Sequence, residues 1–113
     1  MAEKLKTLTQ DEVTITVVRT TALMESKRMR MISEALATAD PDPDAKTLQL
    51  VQFPNCICCT SKADGIPWPV TFEQFKELDG ALVNAWHVAA LEVNPHWYEG
   101  MEAGEQAEAK KAS

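Results

Sequence analysis

No apolar run in this chain approaches the roughly 20 residues a membrane-crossing helix needs. The opening residues, MAEKLKTLTQDE, hold no apolar stretch of the kind that marks a signal peptide. Cysteine is scarce: three residues, an odd number, crowded at positions 56, 58 and 59, which excludes a secreted disulfide framework and fits a reducing compartment. A cytoplasmic protein is the expectation. Positive charge is also short, with 11 Lys and Arg against 17 Asp and Glu, for a net charge of −6 and a pI near 4.8. Long-range attraction to nucleic acid or to an anionic membrane is therefore excluded as a binding principle. The four glycines form no phosphate-cradling motif.

Catalytic patterns are equally thin. Cys56, Cys58 and Cys59, with His87 and His96 downstream, come nearest to a metal site. Structural zinc sites separate paired cysteines by two to four residues and add a second ordered ligand pair, and C-x-C-C does neither. Buried small hydrophobes are the ordinary state of free cysteine. A Cys58–His87 nucleophilic pair lacks a nucleophile turn and an orienting partner. Glu73, Glu77 and Asp79 belong to a solvated helix face, and the DPDPD run has neither the glycine nor the distant glutamate of a calcium loop. The expectation is a protein that is not an enzyme and holds no cofactor and no metal.

What the chain does have is helix signals. At 113 residues and 45% hydrophobic, it has the length of one domain with enough apolar content for a core of its own. The strongest stretch is Thr71–Trp97. Thr71 with Gln74 fits a capping box, opening a short helix over about 72–78 that buries Phe72, Phe75 and Leu78 and leaves Glu73, Lys76 and Glu77 wet. Asp79 caps a second helix over about 80–93, whose Leu82, Trp86, Ala89 and Val93 recur at helical spacing, widened by Val83 and Ala90. Asn94-Pro95 stops it, with Asn94 suited to a left-handed C-terminal conformation.

The N-terminal half is read from the same rules. Met1–Asp11 carry no strong pattern and are expected to be loosely held. Over about 12–19, VTITVV alternates in β-favouring residues and predicts a strand. Its partner is either the weak LKTL segment, through a turn at Gln10-Asp11, or another copy of the chain. A helix over about 21–39 is predicted by a run of helix formers without Gly or Pro, with Ala22, Met29, Ile32, Leu36 and Ala39 on its apolar face and Lys27, Arg30 and Glu34 pairing on another. Met24, Met29 and Met31 suit gap-filling in a small core, or a surface that adapts to several partners. After the ADPDPDAK linker, Asp42-Pro43 opens a helix over about 43–60 that stops or kinks at Pro54, the kinked form being favoured. KADGIPWP is a loop of about eight residues, and 100–113 reads as a disordered acidic and polar tail. The fold class is thus mainly α: a small single domain, over 1–99, of about four helices with a short N-terminal β segment. Trp86 sits on the apolar stripe, whereas Trp68 and Trp97, each beside a proline, either close the core or form an anchor for a partner.

Phe53-Pro54-Asn55-Cys56, then P-x-T-F-E-x-F with Phe72, Phe75 and Leu78, then L-V-N-A-W from Leu82 to Trp86, then E-x-N-P-x-W from Glu92 to Trp97, together resemble the small tail assembly chaperones of long-tailed bacteriophages and prophages. The likeness covers roughly Leu48–Trp97. It implies a helical protein without catalytic residues or cofactor, acting in the host cytoplasm. Such a protein binds the tape measure protein, keeps its long apolar helices soluble and helps tail tube protein polymerise around it. The partners implied are those two proteins, with self-association left open and with no nucleic acid or membrane. No motif carries contact residues over. The side-chain chemistry suggests Met24, Met29, Met31, Phe53, Trp68, Phe72, Phe75, Trp86 and Trp97 as the partner-binding set. The alternative is a structural tail or connector (tail completion) protein retained in the virion, suggested by a strand in want of a partner.

Overall fold

Leu5–Gln10, expected to be loosely held, are a strand. In the computed structural model, which describes residues 4–38 and 42–98, Leu5–Gln10 form β1 and pair antiparallel with β2, Val13–Val18. Leu5 faces Val18 and Gln10 faces Val13, so the turn is the two residues Asp11-Glu12, one position later than expected. Asp11 takes φ 55°, a left-handed setting that Asp tolerates better than most residues. The strand thus finds its partner within the chain, in the LKTL segment. A third strand, β3 (Thr60–Asp64), pairs antiparallel with the other side of β2, giving the order β1-β2-β3.

Strand β3 corrects two expectations. The helix predicted over 43–60 ends at Cys58, and Lys62–Asp64 of the predicted loop are strand. No alternating apolar pattern announces TSKAD; it is extended because β2 offers it a ladder edge. Gly65 follows at φ 92°, where a Cβ would meet the Glu12 carbonyl oxygen at 2.5 Å. Only glycine lets β3 leave the sheet past the hairpin turn.

The described residues form five helices besides the sheet. Helix α1 spans Ala22–Ala37, α2 Pro43–Leu50, α3 Gln52–Cys58, α4 Phe72–Lys76 and α5 Gly80–Val93. The break between α2 and α3 lies at Val51 and not at Pro54. Pro54 instead occupies the first turn of α3, where its missing N–H would have had no partner in any case. Both caps predicted in the C-terminal half are in place: the Thr71–Gln74 box opens α4, and the Asp79 carboxylate accepts the Leu82 N–H to open α5. Residues 39–41 and the predicted tail at 100–113 lie outside the described residues, so Ala39 and the Asp40-Pro41 helix stop are not placed.

Ile15 and Val17 of β2 join the α5 stripe (Leu82, Val83, Trp86, Ala89, Ala90, Val93), Phe75 and two cysteines of the α3 end in one core. Helix α5 touches both the sheet and α3, and α3 touches α1 and α2. The mainly α expectation therefore holds only in outline, since a three-stranded antiparallel sheet contributes Ile15 and Val17 to the core.

Helix α1 overturns its predicted orientation. Ala22 is exposed, Met29 and Leu36 are 54% and 65% exposed, and Ile32 is half-buried. Ala35 is the one described residue of α1 that is fully buried. The helix turns Glu25, Arg28, Met31 and Ala35 inward, because two charged side chains on that face have partners waiting in the body of the domain. The predicted Arg30–Glu34 pair is present at 3.8 Å.

Candidate functional site: an apolar cleft beside a polar clamp

Two kinds of site emerge from this packing. The first is apolar. The α2–α3 break and the α4–α5 elbow face one another across an open cleft of about 290 Å³, and a second pocket of about 260 Å³, lined by α2 and the start of α3 alone, adjoins it through the shared Leu48 and Gln52. Its apolar lining is Leu48, Val51, Phe75, Leu78 and Val83. Both edges are helix interruptions, and an interruption is where side chains point apart. Behind the cleft runs a connected set of rings: Phe72 to Phe53 at 5.3 Å, Phe53 to Phe75 at 5.1 Å, Phe75 to Trp86 at 5.7 Å and Trp86 to Trp68 at 6.4 Å, all tilted or edge-on. Tilted aromatic contacts at these distances are attractive and directional, so the cleft has a stiff rear wall.

The second site is polar and was invisible as a unit in the sequence. Glu25 Oε1 receives the Thr20 hydroxyl at 2.5 Å and the Trp97 indole N–H at 2.5 Å, and lies 2.8 Å from His96 Nε2. Arg28 stands 3.6 Å from the other carboxylate oxygen, stacks its guanidinium 4.8 Å from the centre of the Trp97 ring, and donates from Nε to Asn55 Oδ1 at 2.6 Å. Asn55 Nδ2 lies 3.1 Å from His87 Nε2. At the other end Asn94, fully buried, accepts the Thr20 N–H at 2.8 Å and donates to the Val18 and Ala90 carbonyls at 3.1 Å each. The backbone of Asn94 is at φ −127°, so the left-handed cap expected there does not form; its side chain does the capping. This network joins β2, α1, α3, α5 and the turn after it. Lys46 adds to it by donating to the carbonyls of Ala35 and Thr38 at the end of α1, a cation where the helix dipole favours one.

Two titrations follow from this geometry. Burial tends to raise the Glu25 carboxyl, but the hydrogen bonds from Thr20, His96 and Trp97 and the charge of Arg28 outweigh it and hold the group below its ordinary 4.5. Burial pushes His87 below its ordinary 6.5, and a neutral Nε2 is what the Asn55 amide needs as an acceptor. Both groups bind protons more weakly folded than unfolded, so each contributes stability above its unfolded value and loses it as pH falls through its folded value. Urea unfolding is expected to be level above pH 6.5 and to weaken in two stages below it, first with His87 and then below 4.5 with Glu25. His87→Gln should remove the upper stage alone; a profile unchanged by that substitution would contradict the assignment.

The cysteines behave as packing. Cys56 and Cys59 are fully buried and Cys58 is half-exposed. The Cys58 and Cys59 thiols both donate to the Asn55 carbonyl, at 3.6 and 3.1 Å. Burial pushes the Cys56 thiol well up, and the neighbouring Cys58 thiol together with burial does the same to Cys59. A thiol-specific aromatic disulfide should titrate one equivalent quickly in the native protein and two more only as the domain opens, and Cys58→Ser should abolish the fast equivalent. Among the described residues no group of three or more His, Cys, Asp or Glu side chains is placed to hold a metal ion, and no helix is long and apolar enough to cross a membrane.

The nine residues suggested for partner binding do not form one surface. Phe75 lines the cleft, while Phe53 and Phe72 stand behind it. Trp86 is fully buried and Trp68, 38% exposed, lies beyond it. Trp97 belongs to the polar clamp, and Met24, Met29 and Met31 are on α1, where Met29 projects into solvent. Sequence reading missed Leu48, Val51, Leu78 and Val83 as lining residues, although Leu48 and Val51 stood in the apolar run before Pro54. It missed Thr20, Glu25, Arg28 and Asn55 as a set and took Asn94 only as a helix stop, since single polar residues up to 74 positions apart carry no pattern. Compared with known proteins, the chain matches no family model, no curated protein and no solved structure.

Proposed function

We propose that this protein is a bacteriophage tail assembly chaperone, holding the apolar helices of a tape measure protein in the host cytoplasm while tail tube protein assembles around them. The observation that carries the reading is the open cleft floored by Leu48, Val51, Phe75, Leu78 and Val83. An apolar groove between helices takes the apolar face of another helix, read at helical spacing. The motifs from Phe53 to Trp97 that resemble those chaperones include the elements that build one wall of the cleft, α4 and α5. The polar clamp consumes its own donors and acceptors internally, which suits a rigid holder and not a reaction centre.

The test is co-expression with the tape measure protein of the same source. A soluble complex is expected with this chain and precipitate without it; equal precipitation in both sinks the proposal. The reading as a structural subunit of the virion rested on an unpartnered strand, and β1 and β3 now flank that strand on both sides. Mass spectrometry of finished particles separates the two roles, because a chaperone leaves before completion and a connector stays.

A further inference from the structure

We infer that the Asn55 amide is a one-proton latch between α1 and α3, able to satisfy Arg28 and His87 together only while His87 Nε2 carries no proton. Asn55 lies on α3 and is 5% exposed. Its side chain stands between partners from two other helices: Arg28 of α1, whose Nε lies 2.6 Å from Oδ1, and His87 of α5, whose Nε2 lies 3.1 Å from Nδ2. A guanidinium only donates and keeps its charge, while an amide offers one accepting oxygen and one donating NH2. Arg28 therefore fixes Oδ1 toward α1, and that places the NH2 against His87. The imidazole must answer with a lone pair, so the neutral ring carries its proton on Nδ1.

A proton on His87 Nε2 reverses the demand at one end. Two N–H groups then face each other unless the amide turns over, and turning it over sets the NH2 against Arg28. Arg28 is the partner that yields, because it has a second acceptor in the Glu25 carboxylate, 3.6 Å away on its own helix, whereas the half-buried imidazolium needs Oδ1. The exchange turns a tie between α1 and α3 into one within α1. Ionisable groups on the elements around α5 are engaged elsewhere: Lys6 of β1 with Glu92 of α5, Lys62 with Asp64 on β3, Lys76 with Glu73 on α4, and the Cys58 and Cys59 thiols with the Asn55 carbonyl. Strand β2 has no ionisable side chain, and the Cys56 thiol is buried. His96 faces Glu25, where a proton would tighten α1 and not loosen it. Burial holds His87 free of its proton to below its ordinary 6.5, so the latch opens in acid.

Amide hydrogen exchange of the full chain tests the latch as pH falls from 6.5 towards 4.5, read as protection factors so that the intrinsic effect of pH drops out. Protection in Ala22–Ala37 is expected to fall roughly tenfold more than in Gly80–Val93; a loss shared equally by the two helices overturns the inference. Long-range proton–nitrogen correlation spectra at neutral pH should show the Nδ1–H tautomer of His87, and an Nε2–H ring would overturn it as well. Asn55→Asp gives both neighbours an acceptor, so α1 should stay protected through the same acid range. His87→Gln has no proton to gain there and should do the same, while His96→Gln should keep the wild-type response. An acid response that survives Asn55→Asp or His87→Gln, or that vanishes with His96→Gln, assigns the proton to another group and removes the latch.

Discussion

Trp86→Ala is expected to bring the domain to the edge of unfolding at room temperature. Its side chain is fully buried, meets Phe75 and Trp68, and donates its indole N–H to Thr60 Oγ1 at 3.0 Å, which in turn donates to the Cys56 carbonyl at 2.6 Å. One ring therefore connects α5, α4, the start of β3 and the end of α3. Replacing a buried Trp or Phe by Ala costs about 3–5 kcal/mol, against a total of about 5–15 kcal/mol for a typical domain. Urea unfolding followed by far-ultraviolet circular dichroism reads the change. Trp86→Phe keeps most of the packing and loses the hydrogen bond, so it should cost much less, on the order of 1–2 kcal/mol. A small loss for Trp86→Ala would mean that the core closes without this ring.

Asn94 is the second position where a single change should be severe, and here the cause is polar. Removing its amide takes the partner from the Thr20 N–H and the Val18 carbonyl, both half-buried against the fully buried Asn94. Each unsatisfied buried group costs about 1–3 kcal/mol, which puts Asn94→Ala on the order of 3 kcal/mol. Asn94→Leu fills the space and leaves the same groups orphaned, so it should not rescue stability; a Leu variant as stable as wild type would show that the hydrogen bonds hold nothing together. Amide hydrogen exchange offers a second reading. The loss should speed exchange in Ala22–Ala37 more than in Gly80–Val93, because α1 reaches the body through Thr20 and Glu25 whereas α5 is held by its apolar stripe.

The same contrast explains where sequence reading succeeded. The Thr71 capping box, the Asp79 cap and the Leu82–Val93 stripe were legible because each depends on residues three or four apart, within one helix. The β2 strand was legible from its period of two. Helix α1 was found in extent and misjudged in rotation: its most apolar stripe, Ala22, Met29 and Leu36, faces outward. Burying Glu25 and Arg28 is favourable only where Asn55, Thr20, His96 and Trp97 are already waiting, and of these Thr20 alone is a near neighbour in sequence. Strand β3 was missed for a related reason. TSKAD has weak strand character of its own, and the ladder bonds that make it extended belong to β2.

The candidate cleft was half legible. Two consecutive C-terminal helices with Phe75, Leu78 and Val83 on their apolar faces were foreseen, yet the opposing wall comes from α2 and the start of α3, and its position depends on the chain breaking at Val51 and not at the proline three residues later. Local sequence alone settled the N-terminal caps of α4 and α5, the apolar stripe of α5, the β2 strand and the acidic balance, since each is a matter of neighbours along the chain or of simple sums. Tertiary structure decided the face α1 turns inward, the existence of β3, the capping role of Asn94 and the cleft itself. Those are settled by which distant groups can satisfy one another's hydrogen bonds or exclude water together, and that pairing exists only once the chain has folded.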